Sequence, residues 1–149
     1  MIALSAACLL SMICVQPPGD AISQEVQRLS GTWLVTSSQI DGKEMTERMR
    51  GYRYVFDGQL MKLQDRNGKP VMRPDNKPDE RPFLINVQTN PKTMDITIAV
   101  KSKPFLSLGI YRLQGDELTL CFSEPGATRP LDFISKAGTT LVVLQRVKK

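Results

Sequence analysis

The stretch Gly109–Pro130, GIYRLQGDELTLCFSEPGATRP, constrains the fold more than any other part of the chain. Two runs of alternating apolar residues flank Gly115-Asp116, a pair suited to a two-residue hairpin turn, because glycine tolerates φ > 0 and aspartate visits the left-handed region more readily than most residues. Pairing across that turn sets Leu113 opposite Leu118, Tyr111 opposite Leu120 and Gly109 opposite Phe122. One face is then wholly apolar, and Gly109 leaves room for the Phe122 ring. The other face carries Gln114 with Glu117, Arg112 with Thr119 and Ile110 with Cys121, and is expected to be mostly polar and wet.

The same grammar recurs along the chain. Ile22, Val26 and Leu29 mark one face of a short helix. Gly31-Thr32-Trp33 then opens an extended, β-branched run to Ile40, with Trp33 and Val35 on one face and Leu34 and Thr36 on the other, ended by the turn signal Asp41-Gly42. Met45–Arg50 lacks period-two alternation and reads as one helical turn or an irregular lid. Tyr52–Phe56, Asp57-Gly58 and Gln59–Gln64 read as a second hairpin, with Tyr54 opposite Met61, Tyr52 opposite Leu63 and Arg53 opposite Lys62. Asp65–Pro82 is a long loop dense in Pro, Gly, Asp and Asn. Strands follow at Phe83–Gln88 and Met94–Val100, then the Gly109–Phe122 hairpin, a polar connection, a short strand at Leu131–Ser135 and a last strand at Thr140–Val147.

About eight hairpin-linked strands with almost no helix between them must hide two sheet edges. The expected fold is therefore all-β, an antiparallel meander closed as a barrel, with a two-sheet β-sandwich as the rival. At 149 residues there is room for one domain.

Met1–Val15 is almost uninterruptedly apolar and gives way to Gln16-Pro17-Pro18-Gly19-Asp20-Ala21. It reads as a secretory signal peptide (1–21) cleaved near Ala21, with the barrel domain over 22–149, rather than as a lipid anchor or a bilayer-spanning helix, which needs about twenty residues. The expected location is extracytoplasmic, in the periplasm or secreted. Twenty basic and fifteen acidic side chains give a net charge of +5. They are scattered, without the basic stripe that nucleic-acid binding requires.

Histidine is absent, which removes the commonest general base and metal ligand near neutral pH. Cys121 is the sole thiol after the leader and has no histidine to activate it, so it reads as a small, half-buried packing residue. Asp116 reads as a turn residue rather than half of an acid–base pair with Glu117. Asp95, between Met94 and Ile96, reads as solvated. Asp75, Asp79 and Glu80 do not fit a calcium-loop spacing. No catalytic residue, metal or cofactor is expected.

LSGTW (Leu29–Trp33), DGKE (Asp41–Glu44), NPKTMDIT (Asn90–Thr97), GIYRLQGDELTLCF (Gly109–Phe122) and RPLDF (Arg129–Phe133) follow in order over nearly the whole chain after the leader. In these motifs the sequence resembles an uncharacterised domain family abundant in planctomycete bacteria, a resemblance that implies export and no particular activity. It also resembles lipocalins, in which a Gly-x-Trp on the first strand meets an arginine from the last. Here that implies Gly31, Trp33 and Arg146 at the barrel's closure, the guanidinium stacking on the indole.

The apolar face, Tyr52, Tyr54, Phe56, Met61, Leu63, Ile85, Ile96, Tyr111, Leu120 and Phe122, is either filled core or the wall of a ligand cavity, in which the tyrosine hydroxyls would need polar partners. Two functions of different class follow. One is the binding of a small apolar or amphipathic molecule inside the barrel. The other is an interaction module of the cell envelope, with a filled barrel and a protein partner recognised through Asp65–Pro82 and Met45–Arg50. The sequence does not determine the oligomeric state.

Overall fold

The computed structural model describes residues 18–149. The leader expectation thus falls largely outside the described residues, and cleavage near Ala21 would cut within the first turn of helix α1 (Pro18–Leu29). Ile22, Glu25, Val26 and Leu29 share one face of α1, on which Glu25 and Leu29 are buried. The helix stops where the Ser30 amide and hydroxyl both donate to the Val26 carbonyl and Gly31 takes φ +120°, a conformation open mainly to glycine.

Nine strands follow: β1 (Gly31–Ile40), β2 (Lys43–Glu44), β3 (Arg53–Asp57), β4 (Leu60–Gln64), β5 (Glu80–Asn86), β6 (Lys92–Val100), β7 (Lys103–Gln114), β8 (Glu117–Ser123) and β9 (Thr139–Arg146), with α2 (Thr46–Met49) between β2 and β3. Apart from β2, a short spur on β1, they form an antiparallel meander in which β9 pairs back onto β1. The edges are thereby abolished and the molecule is a closed eight-stranded barrel, not a sandwich.

Closure runs from the Trp33–Arg146 pair to the Ile40–Thr140 pair, with a bulge between Val35 and Ser37. The extra residue inverts the alternation, so that Trp33 and Val35 point inward and then Ser38, instead of Ser37, is buried. One end of the barrel carries α1 and the tight turns between β3 and β4, β5 and β6, and β7 and β8. The opposite end carries α2 and two excursions, residues 65–79 and 124–138.

The β7–β8 register is the one expected at all six pairs, from Gly109–Phe122 to Gln114–Glu117. The β3–β4 register differs by two. Phe56 faces Met61, Tyr54 faces Leu63 and Arg53 faces Gln64, because the two-residue loop is Gly58-Gln59 rather than Asp57-Gly58. In both hairpins only the glycine has positive φ, and it stands first in the turn. That is the type II′ requirement, whereas an Asp-Gly reading presumes a type I′ turn. A shift of two keeps every side chain on its face, so the inward set survives. Arg53 therefore does not face Lys62, which stands opposite Val55 and pairs with Asp57 at 3.0 Å.

Other expectations need correction. β7 begins at Lys103, six residues before Gly109, and β5 begins at Glu80, which shortens the expected loop to residues 65–79. That segment is a folded-over excursion, with bridges Gln64–Pro70 and Met72–Pro78. Leu131–Ser135 forms no strand; it belongs to the 124–138 excursion, which lies across the outside of the barrel. Beneath it Ile110, Thr119 and Cys121 are buried at 2, 4 and 0 % exposure, so the half of the outer face away from the turn is covered, while Arg112, Gln114 and Glu117 stay exposed as expected.

Candidate functional site

Trp33 closes the barrel floor. It is fully buried, and its indole nitrogen donates to the Leu29 carbonyl at 2.8 Å, satisfying its one polar group. The Arg146 guanidinium lies 4.2 Å from the ring. Its terminal nitrogens donate to the Ser30 carbonyl at 3.0 Å and the Arg28 carbonyl at 2.6 Å, and its Nε pairs with Asp116 at 3.2 Å. Arg146 therefore covers the indole and caps the last carbonyls of α1 together. Gly31 lies beside that guanidinium.

One turn before Leu29, on the buried face of α1, stands an acid that sequence reasoning missed. Glu25, 4 % exposed, accepts from Tyr111 Oη at 3.0 Å, Lys92 Nζ at 2.7 Å and Arg28 at 2.9 Å. Burial opposes its charge, but the hydrogen bonds from Lys92 and Tyr111, with the Lys92 and Arg28 charges, outweigh it and hold the carboxyl below its ordinary range. Burial and the neighbouring carboxylate push the Tyr111 phenol upward, so it stays a donor. The partner of the Tyr111 hydroxyl is thus the α1 plug and not a ligand.

Of the ten expected cavity residues, Tyr54, Phe56, Met61, Ile96, Tyr111, Leu120 and Phe122 are buried in one cluster with Trp33, Leu118 and Leu144, and Tyr52, Leu63 and Ile85 pack against its flanks. Phe56 meets Phe83 edge to face at 5.3 Å. A recess bounded by inward-facing strand residues lies at the open end, a pocket of about 210 Å³. Four of the ten, Tyr54, Met61, Ile96 and Phe122, line it, with Arg81, Ile98, Ser107 and Ser123 among the others. Arg81 is held by two hydrogen bonds to Asp79, at 2.9 and 2.8 Å, and Ser107 donates to the Ser123 carbonyl at 2.6 Å. Burial raises the Tyr54 hydroxyl pKa and keeps it a neutral donor. Arg81 escaped sequence reasoning because it sat in what read as loop. Larger hollows, of about 460 and 600 Å³, lie outside the barrel, against the 124–138 excursion and beside Arg146 and the last residues.

The two irregular segments of the open end form one surface. Arg66, from the 65–79 excursion, donates to the carbonyls of Glu47, Arg48 and Arg50 at 2.9, 3.1 and 2.8 Å, capping α2, and its guanidinium lies 5.9 Å from the Tyr52 ring. Within the excursion Arg73 grips Asp75 as Arg81 grips Asp79.

On the outer wall Arg129 is bound to both carboxylate oxygens of Asp95 and donates to the Gly109 carbonyl at 2.8 Å. Asp95 is therefore engaged, not solvated, and NPKTMDIT, GIYRLQGDELTLCF and RPLDF meet at one residue. Arg112 stacks at 4.8 Å on Phe133 just beyond. Beneath this cover Cys121 is wholly rather than half buried, and burial pushes its thiol up to about 11, the opposite of nucleophile activation. Among the described residues no group of three or more Cys, Asp or Glu is placed to hold a metal ion, and no helix is long and apolar enough to cross a membrane. No family model, curated protein or solved structure matches the chain.

Proposed function

We propose that the chain is a binding module of the cell envelope, exported by its apolar leader, in which the barrel is a filled scaffold and the open end recognises a protein partner. The observation that carries this reading is the packing of the interior. The recess at its open end, about 210 Å³, is smaller than the roughly 300 Å³ at which pockets for small organic ligands begin. The open end supplies what a recognition surface needs, two irregular segments fastened to each other by Arg66.

A second reading has its own observation. The pocket sets Tyr54 and Arg81 against the apolar Ile96, Ile98 and Phe122, a pairing that suits the end of a short amphipathic molecule.

Replacing residues 73–77 by an Asn-Gly turn keeps β5 and the Arg81–Asp79 pair intact. Recovery of an envelope protein from a host extract on the immobilised chain should then fall about tenfold or more, with the melting temperature changed by no more than about 3 °C. Undiminished recovery with this variant and with Arg48→Glu would place recognition elsewhere.

A further inference from the structure

β6 and β7 outrun their neighbours. β5 accompanies β6 only as far as Ile96, and β8 joins β7 only from Gly109, so Thr97–Val100 and Lys103–Leu106 form a two-stranded arm beyond the barrel wall at its open end. The arm is apolar where an exposed hairpin should be polar, although its tip borders Arg73–Asp75 of the 65–79 excursion. Val100, Phe105 and Leu106 are 43, 44 and 53 % exposed. Lys101 and Lys103 stand beside them, no acidic residue occurs between Asp95 and Asp116, and Asp75, which shares a hollow with Val100 and Lys101, is already paired with Arg73. At the tip Lys101 and Ser102 both take positive φ, 49° and 62°, where Asn-Gly is the favoured pair. A lysine is thus held at the tip in a conformation that glycine would adopt more readily.

We propose that this arm docks on an anionic lipid surface by the edge of β7 that β8 leaves unpaired, Phe105 from one face of the strand and Leu106 from the other entering the interface and Lys101 and Lys103 pairing with headgroup phosphates. Charge complementarity favours this occupant: exposed apolar side chains flanked by lysines, on a chain of net charge +5, match a negatively charged interface. A second copy of the chain fits less well. Edge lysines and Pro104, which lacks a backbone donor, both discourage strand addition, and two such arms would repel. The inference does not depend on the protein partner proposed above.

The test places a reporter on the arm itself, so that membrane affinity of the leader in the full chain cannot be mistaken for docking. Phe105→Trp and Leu106→Trp are made separately; Trp33, the sole native tryptophan, is buried at the far end and constant. Each is mixed with vesicles of phosphatidylcholine containing about 30 % phosphatidylglycerol, with and without brominated acyl chains. The expected result is a blue-shifted emission quenched by bromine, absent on pure phosphatidylcholine. Lys101→Gln with Lys103→Gln should weaken partitioning about thirtyfold, about 1 kcal/mol per lysine. Emission unchanged at both positions on anionic vesicles overturns the proposal, as does partitioning indifferent to the lysine changes. A blue shift that grows with protein concentration without vesicles, or that requires a delipidated protein extract, overturns it in favour of a second copy or a protein.

Discussion

Arg146 and Trp33 are Cα partners on the closing strands, and the guanidinium of one covers the indole of the other at 4.2 Å while reaching past it to the end of α1. Three elements, β1, β9 and α1, are thereby joined by one side chain. Trp33→Ala should destabilise by about 3–5 kcal/mol, since it empties a fully buried site. Arg146→Lys should destabilise less, by about 1–2 kcal/mol, through the lost stacking and forked hydrogen bonds. In the Trp33→Ala background only the stacking part should vanish, because the bonds to Arg28 and Ser30 do not need the ring. Chemical denaturation of the four proteins measures the coupling. Strict additivity would contradict the contact.

Glu25 gives the floor a pH dependence. Its carboxyl is held below the ordinary range in the folded chain, so it contributes stability that is fully present above the unfolded value of about 4.5 and is lost as pH falls through the folded value. Melting temperature should therefore drop below about pH 4.5 more steeply in the wild type than in Glu25→Gln. At pH 7 that variant should be less stable by about 1–3 kcal/mol, having weakened the bonds of Tyr111 and Lys92. Parallel curves would show that the cluster does not couple to folding.

Gly109 is required by its neighbours rather than by its backbone angles. A Cβ there would overlap the Phe122 ring and come within 2.8 Å of the Met94 carbonyl oxygen. Gly109→Ala should destabilise by about 1–3 kcal/mol or more. Phe122→Leu should recover part of that loss but not all, since the backbone contact persists. Full recovery in the double variant, read by thermal melting, would show that Met94 yields.

Arg129 fastens the 124–138 excursion over Cys121. Arg129→Ala should release it and expose a thiol that burial keeps protonated and unreactive. Labelling with iodoacetamide at pH 8, mapped to residue 121 by mass spectrometry so that Cys8 and Cys14 do not interfere, should be slow in the wild type and accelerate about tenfold or more in the variant. Equal rates would mean that the excursion stays in place without the clamp.

What could be read in advance follows a physical division. The β7–β8 register was legible because strict alternation on both sides of a two-residue turn leaves one pairing that buries Tyr111, Leu118, Leu120 and Phe122 together. In β3–β4 the faces were legible but the register was not, since parity survives a slip of two and only the φ of Gly58 distinguishes the turns. The bulge at Val35–Ser37 depends on partners far along the chain, and no local pattern announces it. Nor does one announce that residues 124–138 will lie over Cys121, or that Glu25 will reach Tyr111 across 86 positions. The open-end pocket was half legible. Its apolar wall follows from alternation, whereas Arg81 enters it through the pairing of β5 with β4.

The filled interior is the centre of this account, and native mass spectrometry of the chain purified from its own host tests it most directly. The expected spectrum shows the polypeptide mass alone, and any lipid that co-purifies should disappear in Phe105→Ser with Leu106→Ser, because it is held on the arm. A stoichiometric small molecule that survives those changes, and is expelled by Ile96→Trp, which would fill the pocket of about 210 Å³, would contradict it.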